Sequence, residues 1–160
     1  RWAPLRSGVL RMGALVPPMP EYYLNGTWSS QGAPVALSWS FVPDGLSIPA
    51  GFQGDPPGAS SLFSRMDTLF VAQGGRATWI DRLQKCFDRW EQLSGVDFTR
   101  VTAAGVDWDD GAMWGANGND TTRGDIRVAM RNIDGINGIL AYAYPPTAGE
   151  LVIDRSESWY

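Results

Sequence analysis

Three carboxylates near the end of the chain carry the clearest chemistry. Asp134 opens the turn "IDGING", and Asp154 and Glu157 follow in "IDRSESW". Gly135 and Gly138 let the backbone between them fold so that its carbonyls point inward. A hard cation such as calcium takes roughly six to eight oxygens, commonly from carboxylates and from the carbonyls of a tight turn. Asp134, Asp154 and Glu157 with carbonyls of the 135–139 turn make such a set. The same residues also read as an ordinary Asp-Gly turn followed by an exposed acidic strand end. Spacing leaves both readings open.

Other chemistry is weaker or excluded. The 160 residues contain no histidine, which rules out a Ser-His-Asp triad, a Cys-His pair or a His-ligated zinc built from this chain alone. The acidic run Asp107, Asp109 and Asp110 lacks the remaining ligand spacing of an EF-hand loop and reads as a solvated loop. Cys86, the single cysteine, excludes an intrachain disulfide and, within a helical pattern, reads as a small buried residue. "NGT" at 25–27 and "NDT" at 119–121 match the N-glycosylation acceptor. The net charge of −4 and the lack of any basic run exclude nucleic acid as a partner. No apolar stretch is long enough to span a bilayer. Eight tryptophans, five tyrosines and six phenylalanines suit a core, and equally a surface that grips an extended ligand.

The elements that must position these groups follow from periodicity. Residues 1–24 are proline-rich and read as a leader or linker. "VALSWSF" (35–41) alternates as a strand with one buried face. Residues 44–60, rich in proline and glycine, predict a loop, and Ser60–Phe70 a short helix. In "TWIDRLQKCFDRWEQLSG", Ile80, Leu83, Phe87 and Trp90 recur at helical spacing, with Trp79, Cys86 and Leu93 widening the stripe. Thr78 suits its N-cap and Gly95 its C-terminal stop. "VDFTRV", "DIRVAM", "GILAYAY" and "ELVID" read as four more strands, and 103–124 as a long loop. A helix crossing between the first two strands implies that they are parallel neighbours or nearly so. The predicted fold class is therefore α/β (α+β): a twisted mixed sheet of about five strands with one long amphipathic helix packed on it. "GILAYAY" alternates Ile139, Ala141 and Ala143 against Leu140, Tyr142 and Tyr144. At a sheet edge it could pair with an extended peptide; as an internal or covered strand it could not.

The ordered segments "FDRWEQLSGVDFTRV" (87–101), "GDIRVAM" (124–130), "DGINGILAYAYPP" (134–146) and "IDRSESW" (153–159) resemble the matrixin-type zinc metallopeptidases. The family pattern there is a helix ending in Trp, a strand with Phe-Thr, Ala-Asp-Ile and a strand, Phe-Asp-Gly with Leu-Ala-His-Ala, and Phe-Asp-x-x-Glu-x-Trp. The likeness spans roughly residues 35–160 and is strongest after 86. It implies a zincin-like upper subdomain over 25–160, incomplete at its C-terminus, from a secreted, extracellular enzyme that cleaves protein or peptide substrates. It also implies a calcium site, with Asp134, Asp154 and Glu157 as carboxylate ligands and Gly135, Asn137 and Ile139 as carbonyl ligands. The substrate-binding edge would be Ile139, Leu140, Ala141 and Tyr142.

Two departures qualify the resemblance. Tyr142 stands where animal members place a histidine ligand of a structural zinc, so that zinc is expected to be absent. The HExxH helix, with its catalytic zinc ligands and general-base glutamate, lies downstream of the Asp-x-x-Glu-x-Trp run in the family. The resemblance thus assigns zinc and catalysis to the parent protein and an inactive role to this chain alone. An uncovered apolar face would then promote self-association. Two other classes compete: a non-catalytic, calcium-stabilised module that binds a peptide or partner, and a Trp-rich, calcium-dependent carbohydrate-binding β domain. The strong helix over 78–93 argues against the latter.

Overall fold

The computed structural model describes residues 26–30, 32–51 and 54–159; the 1–24 leader and Asn25 of the first glycosylation motif lie outside them. Ten short elements follow one another: β1 (Val35–Phe41), β2 (Ser47–Ile48), β3 (Gly58–Ala59), α1 (Leu62–Leu69), a 3-10 turn (Val71–Gln73), α2 (Arg76–Ser94), β4 (Val96–Arg100), β5 (Ile126–Arg131), β6 (Ala141–Ala143) and β7 (Leu151–Asp154). Five strands form one sheet in the order β4-β1-β5-β7-β6, and β2 and β3 form a separate hairpin. The β1–β4, β1–β5 and β5–β7 pairs are parallel, while β6 runs antiparallel to β7. The first two long strands are thus parallel neighbours joined through α2, as the sequence requires. The mixed five-stranded sheet with helices on it is the predicted α/β class. No helix among the described residues is long and apolar enough to cross a membrane.

One face of the sheet is apolar and carries the helices. Trp39, Phe41, Val128, Met130 and Ile153 pack there against Leu62, Phe63, Met66, Phe70 and Trp79. Phe87 of α2 stacks on Trp39 with ring centroids 4.2 Å apart and meets Phe98 of β4 edge-on. These contacts fix α2 across the first half of the sheet.

The helix differs from its sequence reading at three points. It begins at Arg76 with Gly75 as N-cap, not after Thr78, because Gly75 takes a backbone (φ 69°, ψ −150°) that suits glycine best. Gly95 closes it in the left-handed conformation, as expected. Cys86 is exposed, and Trp90 and Leu93 are each 65% exposed. These three share a flank of α2 that α1 covers only near the N-terminal end, where Trp79 is buried against Phe63. The uncovered flank continues into an apolar cavity of about 150 Å³ between Phe70, Leu83, Cys86, Met130, Ile153 and Trp159.

The second face is buried as well, so β1 is covered on both sides rather than one. Ser38 and Ser40 of β1 and Arg127 and Arg131 of β5 all lie inside. Buried arginines must be paired, and the covering loops supply the partners. Asp109 accepts from Arg127 Nε at 2.8 Å and from Ser40 Oγ at 3.1 Å. Arg127 also donates to the carbonyls of Ala112 and Met113, each at 2.9 Å. Asp109 is therefore no solvated loop residue; it is 1% exposed and locks the 103–124 loop onto the sheet. The hairpin β2–β3, within a segment read as loop, sits on the same face through Ile48.

Candidate functional site

The turn at 134–139 brings the sequence-picked acids together. Gly135 (φ 99°) and Asn137 (φ 65°) supply its left-handed positions. Both oxygens of Asp134 accept the Ile139 N–H, at 2.9 and 3.0 Å. Gly138 lies so close that a Cβ there would come within 2.3 Å of that carboxylate, so a side chain at 138 would push Asp134 off this position.

Asp154, at the end of β7, is fully buried, and its Oδ2 accepts the Asp134 N–H at 3.3 Å while Oδ1 accepts the Ser156 N–H at 2.7 Å. Glu157, 9% exposed, accepts the Asn137 N–H at 2.6 Å. Trp159 donates its indole N–H to the Asp154 carbonyl at 2.6 Å and pins the chain beyond it.

Asp134, Gly135, Asn137, Ile139, Asp154 and Glu157 thus surround one turn, but not as a finished cage. Each carboxylate rests on a backbone N–H. No group of three acidic, histidine or cysteine residues among the described residues stands close enough to hold a metal ion. What fits a hard cation is the charge: two buried carboxylates, Asp154 and Glu157, form no ion pair with a lysine or arginine among the described residues. The convergence of ligands would require Asp134 to swing off its own turn.

Downstream of the turn the chain enters β6, which is an outer strand of the sheet. Its register pairs Ala141 with Ile153, Tyr142 with Val152 and Ala143 with Leu151. The Asp154 N–H donates to the Leu140 carbonyl and the Tyr144 N–H to the Glu150 carbonyl, both at 2.8 Å. Bonded and non-bonded pairs alternate in an antiparallel ladder. Leu140, Tyr142 and Tyr144 therefore turn their backbone groups toward β7, and Ala141 and Ala143 turn theirs outward. Both alanines are exposed, and their N–H and C=O groups have no partner among the described residues.

Of the four residues picked for this edge, Ala141 has the free backbone groups. Ile139 packs half-buried against the second-face core, and Leu140 exposes 55% of its surface just before the strand. Tyr142 is buried and faces inward. Ala143 was missed, although the alternation of small residues in "LAYAY" is the signal for it.

Tyr142 has a different task. Its hydroxyl donates to Asp55 Oδ2 at 3.0 Å and accepts from Arg131 Nη2 at 2.9 Å. Arg131 also pairs with Asp55 directly and donates to the carbonyls of Pro49 and Pro56. This buried cluster ties β5 and β6 to Pro49, Asp55 and Pro56 at one point. Burial pushes the Tyr142 hydroxyl up to about 12; the Arg131 hydrogen bond opposes that rise and the Asp55 bond adds to it. Asp55 and Arg131 escaped the sequence reading. The sign was there, in two arginines four residues apart on one face of the strand "IRVAMR".

No family model matches this chain, and neither the curated proteins nor the solved structures give a match.

Tyr142→Phe keeps the ring and removes the shared hydroxyl, and should cost about 1–3 kcal/mol in urea unfolding at neutral pH. The folded hydroxyl titrates above the ordinary value of 10.0, so its contribution is complete below that pH and is lost as pH rises through about 12. The wild-type protein should lose stability across that window with a component that the Phe variant lacks.

Proposed function

We propose that this chain is the N-terminal part of a secreted, matrixin-like zinc metalloendopeptidase, and that it supplies the edge against which a protein or peptide substrate is laid. The observation that carries this reading is the open outer edge of β6. Ala141 and Ala143 offer two N–H donors and two C=O acceptors at strand spacing, on small side chains that let another backbone approach. An extended peptide can add there as a further strand, held by main-chain bonds that do not depend on its sequence. The resemblance puts substrate on this same strand.

The residues present do not fit a catalytic zinc, since the chain has no histidine. In a metallopeptidase, zinc polarises the scissile carbonyl and activates a water; those ligands would belong to a downstream helix of the parent. A helix of that kind has a surface to meet, the apolar cavity beside Trp159 and the bare flank of α2. Left uncovered, that surface favours self-association of the isolated chain.

Calcium is the cofactor proposed for this chain itself. Asp154 and Glu157 would keep their places, Asp134 would turn its carboxylate to the ion, and Gly135, Asn137 and Ile139 would offer carbonyls. Bound calcium would neutralise two buried acids and stiffen the turn that leads into β6.

A second reading needs no chemistry from a parent. The open edge lies wholly within this chain, so a non-catalytic, calcium-stabilised peptide- or partner-binding module would use the same surface. Hydrolysis by the parent separates the two.

Amide exchange tests the edge. An extended peptide in excess should slow exchange at the Ala141 and Ala143 N–H groups, while Tyr142, already paired to β7, changes little. Unchanged exchange at both alanines, with saturating peptide, would reject the edge. Calcium should raise the melting temperature by mass action, a stabilisation of about 2.7 kcal/mol at a hundredfold excess over Kd. Asp134→Ala should abolish that rise, and a wild-type protein that melts at the same temperature with and without calcium has no such site.

A further inference from the structure

A cavity of about 280 Å³ opens beside β3, and neither the carboxylates around the 134–139 turn nor the β6 edge residues line it. Pro56, Gly58 and Ser61 form one wall, and Arg131, Asn132 and Arg155 the other. No carboxylate lines it. Every polar side chain in the wall is a donor or carries one; Arg131 Nε is buried without a partner, and the exposed Arg155 and Asn132 have donors with no protein acceptor among the described residues.

The Arg155 guanidinium has no acceptor among the described residues, although its backbone is fixed: its N–H donates to the Arg131 carbonyl at 2.9 Å, and its carbonyl accepts from Arg65 Nε at 3.1 Å. Asn132 uses its Oδ1 to accept from Ser156 Oγ at 3.4 Å, which leaves its Nδ2 unpaired. Arg131 is 2% exposed; its terminal nitrogens are occupied by Asp55, Pro49, Pro56 and Tyr142, and its Nε–H is buried without a partner. A buried donor left unpaired costs more than a typical hydrogen bond gains. The fourth polar group, Ser61 Oγ, spends its proton on a long 3.4 Å bond to the Met130 carbonyl.

Charge points the same way. Asp55 already neutralises Arg131, so Arg155 is the positive charge at the wall without an ion pair among the described residues, with Arg65 bonded to its backbone; the buried Asp154 and Glu157 that flank it in sequence do not line the cavity. A planar guanidinium fork, an amide N–H₂ and a further N–H are the donor set that binds carboxylate or phosphate oxygens. The volume holds such a group with room to spare.

We propose that this cavity is a binding site for a small oxyanion, a carboxylate or a phosphate, held chiefly by Arg155 and Asn132 with Arg131 as its buried floor. The site owes nothing to the peptidase reading and survives its failure. Arg65, whose Nε donates to the Arg155 carbonyl, is a second source of positive potential beside it.

Titration of the whole chain with inorganic phosphate and, separately, with acetate at low ionic strength tests it, followed by amide and side-chain nitrogen chemical shifts. One or both anions should give saturable shifts at Gly58, Ala59, Asn132 and Arg155, and the tighter of the two names the class. Arg155→Gln, a change at an exposed side chain, should weaken that binding at least about tenfold, a loss equal to one charge-assisted contact. Shifts that rise linearly without saturation, that spread evenly over all the arginines, or that persist unchanged in Arg155→Gln would overturn the proposal.

Discussion

Two arginines on the loop-covered face of β5 constrain the rest of this structure. Arg127 and Arg131 point away from the helices, into a region closed by loops, and neither charge can stay there unpaired. Each therefore recruits an aspartate from a different loop, Asp109 for Arg127 and Asp55 for Arg131. The pairs explain why long segments without regular structure cover a sheet closely. Carbonyls of Ala112, Met113, Pro49 and Pro56 complete the guanidinium bonding, so the loop backbones are satisfied by the same two side chains. Removing one partner would leave a bare charge inside, whereas exchanging a whole pair for apolar groups would be far better tolerated.

The second of these pairs reaches the proposed function through Tyr142. Because its hydroxyl joins Asp55 and Arg131, the middle residue of β6 is anchored inward. Its neighbours Ala141 and Ala143 are then obliged to face outward, with backbone groups that have no partner among the described residues. The other end of the strand is set by the 134–139 turn, which Asp154 and Glu157 hold through its own N–H groups. An edge that is rigid at both ends loses little entropy when a peptide is added to it. That is the physical sense of placing the proposed binding edge between a buried ionic cluster and an acid-braced turn. Tyr142, at the position where the matrixin-type enzymes that the sequence resembles would carry a zinc-binding histidine, is here part of a buried side-chain anchor.

Much of this was legible in the residues. Helical and strand periods located α1, α2 and the five sheet strands, since each buries a regular stripe, and the crossing helix fixed β1 and β4 as parallel neighbours. Asp134, Asp154 and Glu157 were singled out because a glycine-rich turn between acids can form a cation site, although an Asp-Gly turn beside an acidic strand end is as ordinary a reading; the structure brings them around one turn. Other features depended on tertiary context. Trp90 and Leu93 fit the helical stripe as well as Phe87 does, and only the shortness of α1 leaves them bare. Asp109 looked like one acid among several until Arg127 stood opposite. The length of "GILAYAY" concealed that β7 spans just its centre, so that the outward groups belong to Ala141 and Ala143.

The claim that this chain is one part of a zinc-dependent endopeptidase is tested most directly on the parent. The reading frame continued past Tyr160 should be expressed and assayed for peptide hydrolysis, with and without a zinc chelator. The account predicts a histidine-bearing helix in the added segment. It predicts hydrolysis that stops on chelation and returns with zinc, and none from the 160-residue chain alone. A continued frame without such a helix, or hydrolysis indifferent to chelation, would contradict it.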